Sequence, residues 1–277
     1  MASTALKVAL VQCCATADVA ANLKRLQSLV AEAAATGATL VALPEAFAFI
    51  GPERDKQRIL EPLEATAPGP ILACCQALAR EHGIELLLGG FHEQLPDDHR
   101  AGNTSVLLDA SGAIISCYRK IHLFDVDLAD GTRLMESRGT APGERAVIVE
   151  RDWGTLALTI CYDLRFPALY QALVNQGAAV ITVPSAFTHS TGTAHWHALL
   201  RARAIETQCF VLAPAQHGRH NNRRRSFGHS LIIDPWGEIL AEGPAEGDAV
   251  ISATLDLAQV SKVRAQMPVQ DHRRPFS

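Results

Sequence analysis

The chain has 277 residues, 48% of them hydrophobic and 19% charged, with a formal net charge of −4 at pH 7. That length and apolar share can bury a large core, while the acidic balance and an aromatic content of only 5% argue against a nucleic-acid-binding surface. Seven cysteines, an odd set lying mostly in apolar runs, argue against a secreted disulfide framework and for a reducing compartment, the cytoplasm.

The first apolar run, 8–12, is too short for a signal h-region with a cleavage site or for a membrane span, and reads as a strand. An amphipathic stretch over 22–35 reads as a helix, with Asp18 as cap ahead of it and Gly37 to close it. Residues 39–43 form a buried strand that Pro44 ends, and Glu45 follows with Phe47 and Phe49 beside it. A carboxylate among aromatics is expected to lose solvation, which raises its pKa and suits it to act as a general base. The rival reading is a solvated loop carboxylate. A helix over 69–81 opens with Pro70 and closes at Gly83, leading into a strand at 84–88. Strands at 103–108 and 114–118 flank Asp109-Ala-Ser-Gly112, a hairpin signal, so the sheet is mixed rather than wholly parallel. Lys120 stands directly after the second of these strands, where an ammonium can stabilise a thiolate and an oxyanion, or lie on the surface as an ordinary lysine.

Leu156, Leu158 and Ile160 alternate toward Cys161, and Pro167 opens a helix over 166–176. Cys161 is therefore expected on a sharp strand-to-helix turn, where the helix N-terminus would favour its thiolate; the rival is a packed, inert core cysteine. A strand at 178–183, a helix at 194–207, strands at 210–213 and 231–233, and a hairpin turn at Asp234-Pro-Trp-Gly237 complete an α/β chain with a two-sheet core covered by helices. His195 and His197, two apart on a helix, face different ways, and no paired ligand spacing points to a metal site. The basic run 217–225 reads as a solvated loop, or as a contact for an anionic substrate or a second subunit. With no internal repeat and no composition break, the chain reads as one domain, 1–277.

Three segments, Leu-Pro-Glu (43–45), Tyr-Arg-Lys-Ile-His-Leu-Phe-Asp (118–125) and Ile-Cys-Tyr-Asp-Leu-Arg-Phe-Pro (160–167), resemble, in this order, the motifs of the nitrilase superfamily of carbon–nitrogen hydrolases. The resemblance runs from about residue 6 to about residue 275. It implies a four-layer αββα sandwich that pairs into a homodimer or higher homo-oligomer. Its implied site is Glu45 as general base, Lys120 stabilising the intermediate, Cys161 as nucleophile, and Glu136 positioning lysine and substrate. No cofactor is implied. Cys161-Tyr162-Asp163 stands where nitrilases acting on nitriles carry Cys-Trp-Glu, which points to an amidase.

Segments 184–196, 199–208 and 216–220 are similar to deaminated glutathione amidases, and ω-amidases share the first of them and segment 228–237. The implied substrate is a small anionic amide, deaminated glutathione split into 2-oxoglutarate and cysteinylglycine, with 2-oxoglutaramate or an N-carbamoyl compound as the alternative; neither nucleic acid nor membrane is an expected partner. For such a substrate Arg165 is expected either to grip the 2-oxo acid carboxylate with a bidentate fork or to pair with Asp163. Phe187 and Thr191, just past the 178–184 run, would add an aromatic wall and a hydroxyl, and the backbone N–H of Tyr162 an oxyanion donor.

Overall fold

Alternation along the first strand explains how the layers form. The structure, a computed structural model, describes residues 5–63, 68–127 and 133–274. In chain order its main elements are β1 (Ala5–Gln12), α1 (Val19–Ala35), β2 (Leu40–Ala42), α2 (Pro70–His82), β3 (Glu85–Gln94), β4 (Ala101–Leu108), β5 (Ile114–Arg119), β6 (Val147–Arg151), β7 (Gly154–Leu158), α3 (Pro167–Asn175), β8 (Val180–Thr182), α4 (His189–Thr207), β9 (Phe210–Ala213), β10 (Leu231–Ile233), β11 (Ile239–Glu242) and β12 (Ala249–Asp256). On β1, Val8 and Leu10 point into one core and Ala9 and Val11 into another, as the two-residue period of a strand requires.

The first sheet runs β12-β1-β2-β3-β4-β5, with the short strand Thr140–Ala141 added to β4; the second runs β11-β10-β9-β8-β7-β6. In each, three central strands are parallel (β1-β2-β3 and β7-β8-β9) and the outer ones antiparallel. Apolar residues of both sheets, Leu40 and Leu87 from one and Leu158 and Ile181 from the other, share one core. The far face of the first sheet packs on α1 and α2 through Leu26, Val30, Leu72 and Leu78, and the second sheet is covered by α3 and α4 through Leu173, Trp196 and Leu200. This is the four-layer αββα sandwich.

Boundaries shift for local reasons. Helix α1 begins one turn earlier than the apolar spacing predicts, because Asp18 is itself the cap, accepting from the Ala21 N–H at 3.0 Å. Helix α4 begins at His189, not 194, since 189–193 carries no apolar period to betray it. Strand β3 runs on past the predicted 84–88 through a bulge at Gly89-Gly90. A Cβ on Gly89 would lie 2.0 Å from the Leu43 carbonyl oxygen and 2.3 Å from Pro184 Cβ. Only a glycine lets the ends of β2 and β8 approach this closely, and those are the strand ends that carry the site.

Candidate active site

Four strands deliver their next residues to one point between the sheets: β2 delivers Glu45, β5 Lys120, β7 Cys161 and β8 the segment 185–188. Parallel central strands put their carboxyl ends on one edge, where α/β sheets form crevices. Glu136 arrives from a different place, directly after the short strand Arg133–Met135. All four residues line one cavity of about 160 Å³.

The floor of this cavity is a closed set of charge-assisted bonds. Lys120 Nζ donates to Glu45 Oε1 at 2.9 Å and to Glu136 Oε2 at 2.9 Å. Asn103, on β4, bridges the same carboxylates, donating from Nδ2 to Glu45 Oε1 at 2.9 Å and to Glu136 Oε1 at 3.0 Å. The Ala186 N–H holds the second Glu45 oxygen at 2.8 Å, and the Phe124 N–H holds Glu136 Oε2 at 2.7 Å. Glu45 and Lys120 are only 4% and 2% exposed, so these are interior ion pairs, neither solvated loop carboxylate nor surface lysine.

The electrostatics correct two expectations. Burial is the largest single influence and pushes the Glu45 carboxyl up, but the charge and hydrogen bond of Lys120, the charge of Arg224 and a hydrogen bond with Cys161 together outweigh it, and its pKa settles at about 2. Glu45 therefore rests as a carboxylate. Cys161 was expected to be a thiolate favoured by a helix dipole; instead burial, and then the Glu45 charge, push its thiol well above the ordinary value, with Lys120 opposing them less strongly. The α-helix starts only at Pro167, and Cys161 opens a 3-10 turn, Cys161–Arg165, too short for a strong dipole. Burial opposes the Lys120 ammonium, yet Glu136 and Glu45 hold its pKa well above the usual lysine range. The resting pair is thus carboxylate and neutral thiol, with an interaction between them.

Two backbone features set this geometry. Cys161 has φ +46° and Ala46, next to Glu45, φ +56°, a left-handed conformation rare without glycine. The Cys161 turn is tied down by Asp163. Its buried carboxylate accepts from the Ile160 N–H at 2.9 Å, the Tyr118 hydroxyl at 2.6 Å and the His122 N–H at 3.1 Å. Asp163 therefore does not pair with Arg165, as one reading of the sequence had it.

Tyr162, Phe187 and Thr191 line the cavity as expected, whereas Arg165 does not. Its guanidinium lies behind the wall, 5.1 Å from the Phe187 ring centroid and 5.8 Å from that of Tyr162, with Nη1 3.2 Å from His195 Nδ1. The guanidinium that does reach the cavity is Arg224, from the basic run. That run is a hairpin, His217–Arg219 paired with Arg225–Phe227, rather than a loose loop. His197, for its part, meets His229 and Glu242 away from the cavity: both imidazoles bond Glu242 Oε1, at 3.0 and 2.7 Å, and the three donor atoms lie within 4.8 Å of one another. His92, with Lys56, adds to the wall near Arg224; burial, then the Lys56 and Arg224 charges, hold its pKa down at about 3, so it is neutral.

Sequence reasoning missed Asn103 and the part played by Asp163, and it named the basic run 217–225 as a substrate contact without singling out Arg224. Asn103 sits inside a strand between Gly102 and Thr104-Ser105, where nothing in its local sequence marked it.

An αββα sandwich whose strand ends bring a cysteine, a glutamate and a lysine together, with a second glutamate from a separate short segment, defines a class of thiol hydrolase folds. The chain belongs to the carbon–nitrogen hydrolase family, whose model matches residues 7–265, and within it is an amidase. It is 45% identical over 272 residues, 97% of this chain and 82% of its relative, to the human protein named deaminated glutathione amidase. Among solved structures it resembles the Caenorhabditis elegans NitFhit protein (TM-score 0.91, 38% identity, 99% of this chain, which spans 66% of that one). It also resembles Saccharomyces cerevisiae Nit3, a branch 10 member of the nitrilase superfamily (TM-score 0.89, 32% identity, 99% and 98% of the two chains).

Proposed function

We propose that this amidase hydrolyses deaminated glutathione to 2-oxoglutarate and cysteinylglycine through a thioester on Cys161. The observation that carries the mechanism is the neutral Cys161 thiol beside a Glu45 carboxylate that Lys120 keeps ionised. A base held at about 2 is weak at rest, so proton transfer accompanies attack instead of preceding it: Glu45 takes the thiol proton as Sγ bonds to the amide carbonyl carbon. The carbonyl oxygen becomes an oxyanion, met by the Lys120 ammonium and the Tyr162 N–H, whose place early in the turn leaves it without an intrahelical acceptor. The C–N bond breaks, Glu45 returns the proton to the departing amine, and a water deprotonated by Glu45 then cleaves the thioester to acid and thiol. Glu136 and Asn103 keep Lys120 and Glu45 in register throughout.

The substrate rests on the relatives' name and on the charge of the cavity: Arg224 lines it unpaired and Arg165 adds positive potential behind Tyr162 and Phe187. In the same reading the chain is one hydrolase domain over 1–277, working in the cytoplasm, which seven free thiols suit. No helix among the described residues is long and apolar enough to cross a membrane. Subunit pairing is supported by the exposed apolar side chains Ile205, Trp236, Ile239 and Leu240. The test is a side-by-side assay of 2-oxoglutarate release from deaminated glutathione and 2-oxoglutaramate. A higher kcat/KM for the first is expected; the reverse assigns the chain to ω-amidase chemistry. Cys161→Ala should lower kcat on either by roughly four orders of magnitude or more while the fold survives; a folded variant that keeps its activity overturns the mechanism.

A further inference from the structure

Leu134, Thr188 and Arg224 wall the catalytic cavity on one side, and the same three residues wall a second cavity of about 190 Å³ beyond it. Its other walls are His189, Ser190, Arg223 and Arg225, and no carboxylate lines it among the described residues. Arg225 pairs with Glu246. Arg224 has no side-chain hydrogen bond among the described residues, and its Nε is buried without an acceptor. Arg224 is half-buried, and a buried N–H without an acceptor costs stability unless something anionic arrives to meet it.

The hairpin tip that presents Arg224 is held firmly. Asn221 Oδ1 accepts the Arg224 N–H at 3.0 Å, the Arg224 carbonyl accepts the His220 N–H at 3.0 Å, and His220 is anchored to the Ala15 carbonyl at 2.7 Å. The opposite wall is the start of the 19-residue helix α4, whose cap Thr188 makes no side-chain cap bond and whose first turn carries no acidic residue. His189 and Ser190 of that first turn line the cavity, so the positive dipole end of the helix lies on the same space as the arginines.

We propose that this second cavity is the subsite for the anionic group at the leaving-amine end of the substrate, with Arg224 as its specificity-determining residue. The inference rests on the substrate reading above, in which that group is the glycine carboxylate of deaminated glutathione. The acyl group stays bonded to Cys161 in the first cavity, so the amine half must reach out of it and later depart. The second cavity shares the walls Leu134, Thr188 and Arg224 with the first, and its residues Arg223 and Arg225 are exposed. A substrate lacking the distal carboxylate, such as 2-oxoglutaramate, leaves this subsite unfilled.

The test measures binding without turnover. Cys161→Ala is titrated with deaminated glutathione and with its C-terminal carboxamide, alone and combined with Arg224→Gln. We expect the acid to bind at least about tenfold more tightly than the carboxamide, as a charge-assisted bond to a half-buried guanidinium gives. Arg224→Gln should bring that ratio to within about twofold of unity, and Arg224→Lys, which keeps the charge but not the fork, should retain part of it. Equal affinity for the two ligands, no measurable binding of the acid, or a ratio that survives Arg224→Gln overturns the proposal. Turnover answers the other question. An intact binding ratio in Cys161→Ala with no hydrolysis by the unmodified protein overturns the substrate reading and leaves the subsite standing.

Discussion

The floor and the mouth of the pocket are both rich in charge, yet they are built on opposite principles. On the floor Lys120 meets two carboxylates, each also held by Asn103 and a backbone N–H. At the mouth Arg224 meets none. A satisfied network fixes atoms for chemistry, because no group has to reorganise when the reaction charge develops. An unsatisfied guanidinium stores its interaction for a ligand. The contrast separates what the protein does to a bond from which molecule it chooses.

The sharpest break on the floor is Glu45→Gln, which keeps the shape and removes the base: kcat should fall by roughly 10²- to 10⁴-fold, read by product release under saturating substrate. Lys120→Met strands the buried Glu45 carboxylate and the half-buried Glu136, so unfolding in urea should show a loss of about 3–5 kcal/mol alongside the loss of activity. An unchanged midpoint would mean that the network is not the interior one described. Gly89→Ala tests the backbone beneath both regions. Its Cβ has no room against Leu43 and Pro184, and a cost of about 1–3 kcal/mol is expected, with activity falling too because Glu45 and Cys161 are carried apart.

The smallest effect is on pH dependence. His92, neutral in the fold with its pKa at about 3 against an ordinary 6.5, binds a proton more readily unfolded, so its contribution is complete above 6.5 and lost as pH falls toward 3. Glu45, lowered from 4.5 to about 2, adds stability above 4.5 that disappears between 4.5 and 2. Melting temperature should therefore decline in two stages on acidification. His92→Asn should flatten the upper stage without abolishing it, since burial also holds His220 at about 4.

The floor was partly legible in the sequence because each of Glu45, Lys120 and Cys161 directly follows an apolar run, and a chain that leaves a strand end must put something there. Their convergence was not legible from spacing. It depends on strand pairing between residues far apart, such as Glu45 bridging to Gly90, and Glu136 was reached through family resemblance alone. Charge states were misread for the same reason: the carboxyl was weighed against its aromatic neighbours in sequence, when Lys120, 75 positions away, decides its pKa. The mouth was the least legible. In Arg223-Arg-Arg225 only Arg224 lines both cavities, and the conformation of the hairpin tip, not composition, selects it.

Strand β12 pairs with β1 along its whole length, from Ala5 opposite Asp256 to Gln12 opposite Ala249. Until the ribosome has released residue 256, the side of β1 that β12 will cover remains an open edge with unpaired N–H and C=O groups. Loop closure over about 250 residues places this pairing among the slow, late events of folding. While the residues between the two strands are being made the nascent protein thus carries a sticky strand, a window in which chaperone binding would matter more than for a fold that completes its sheets locally.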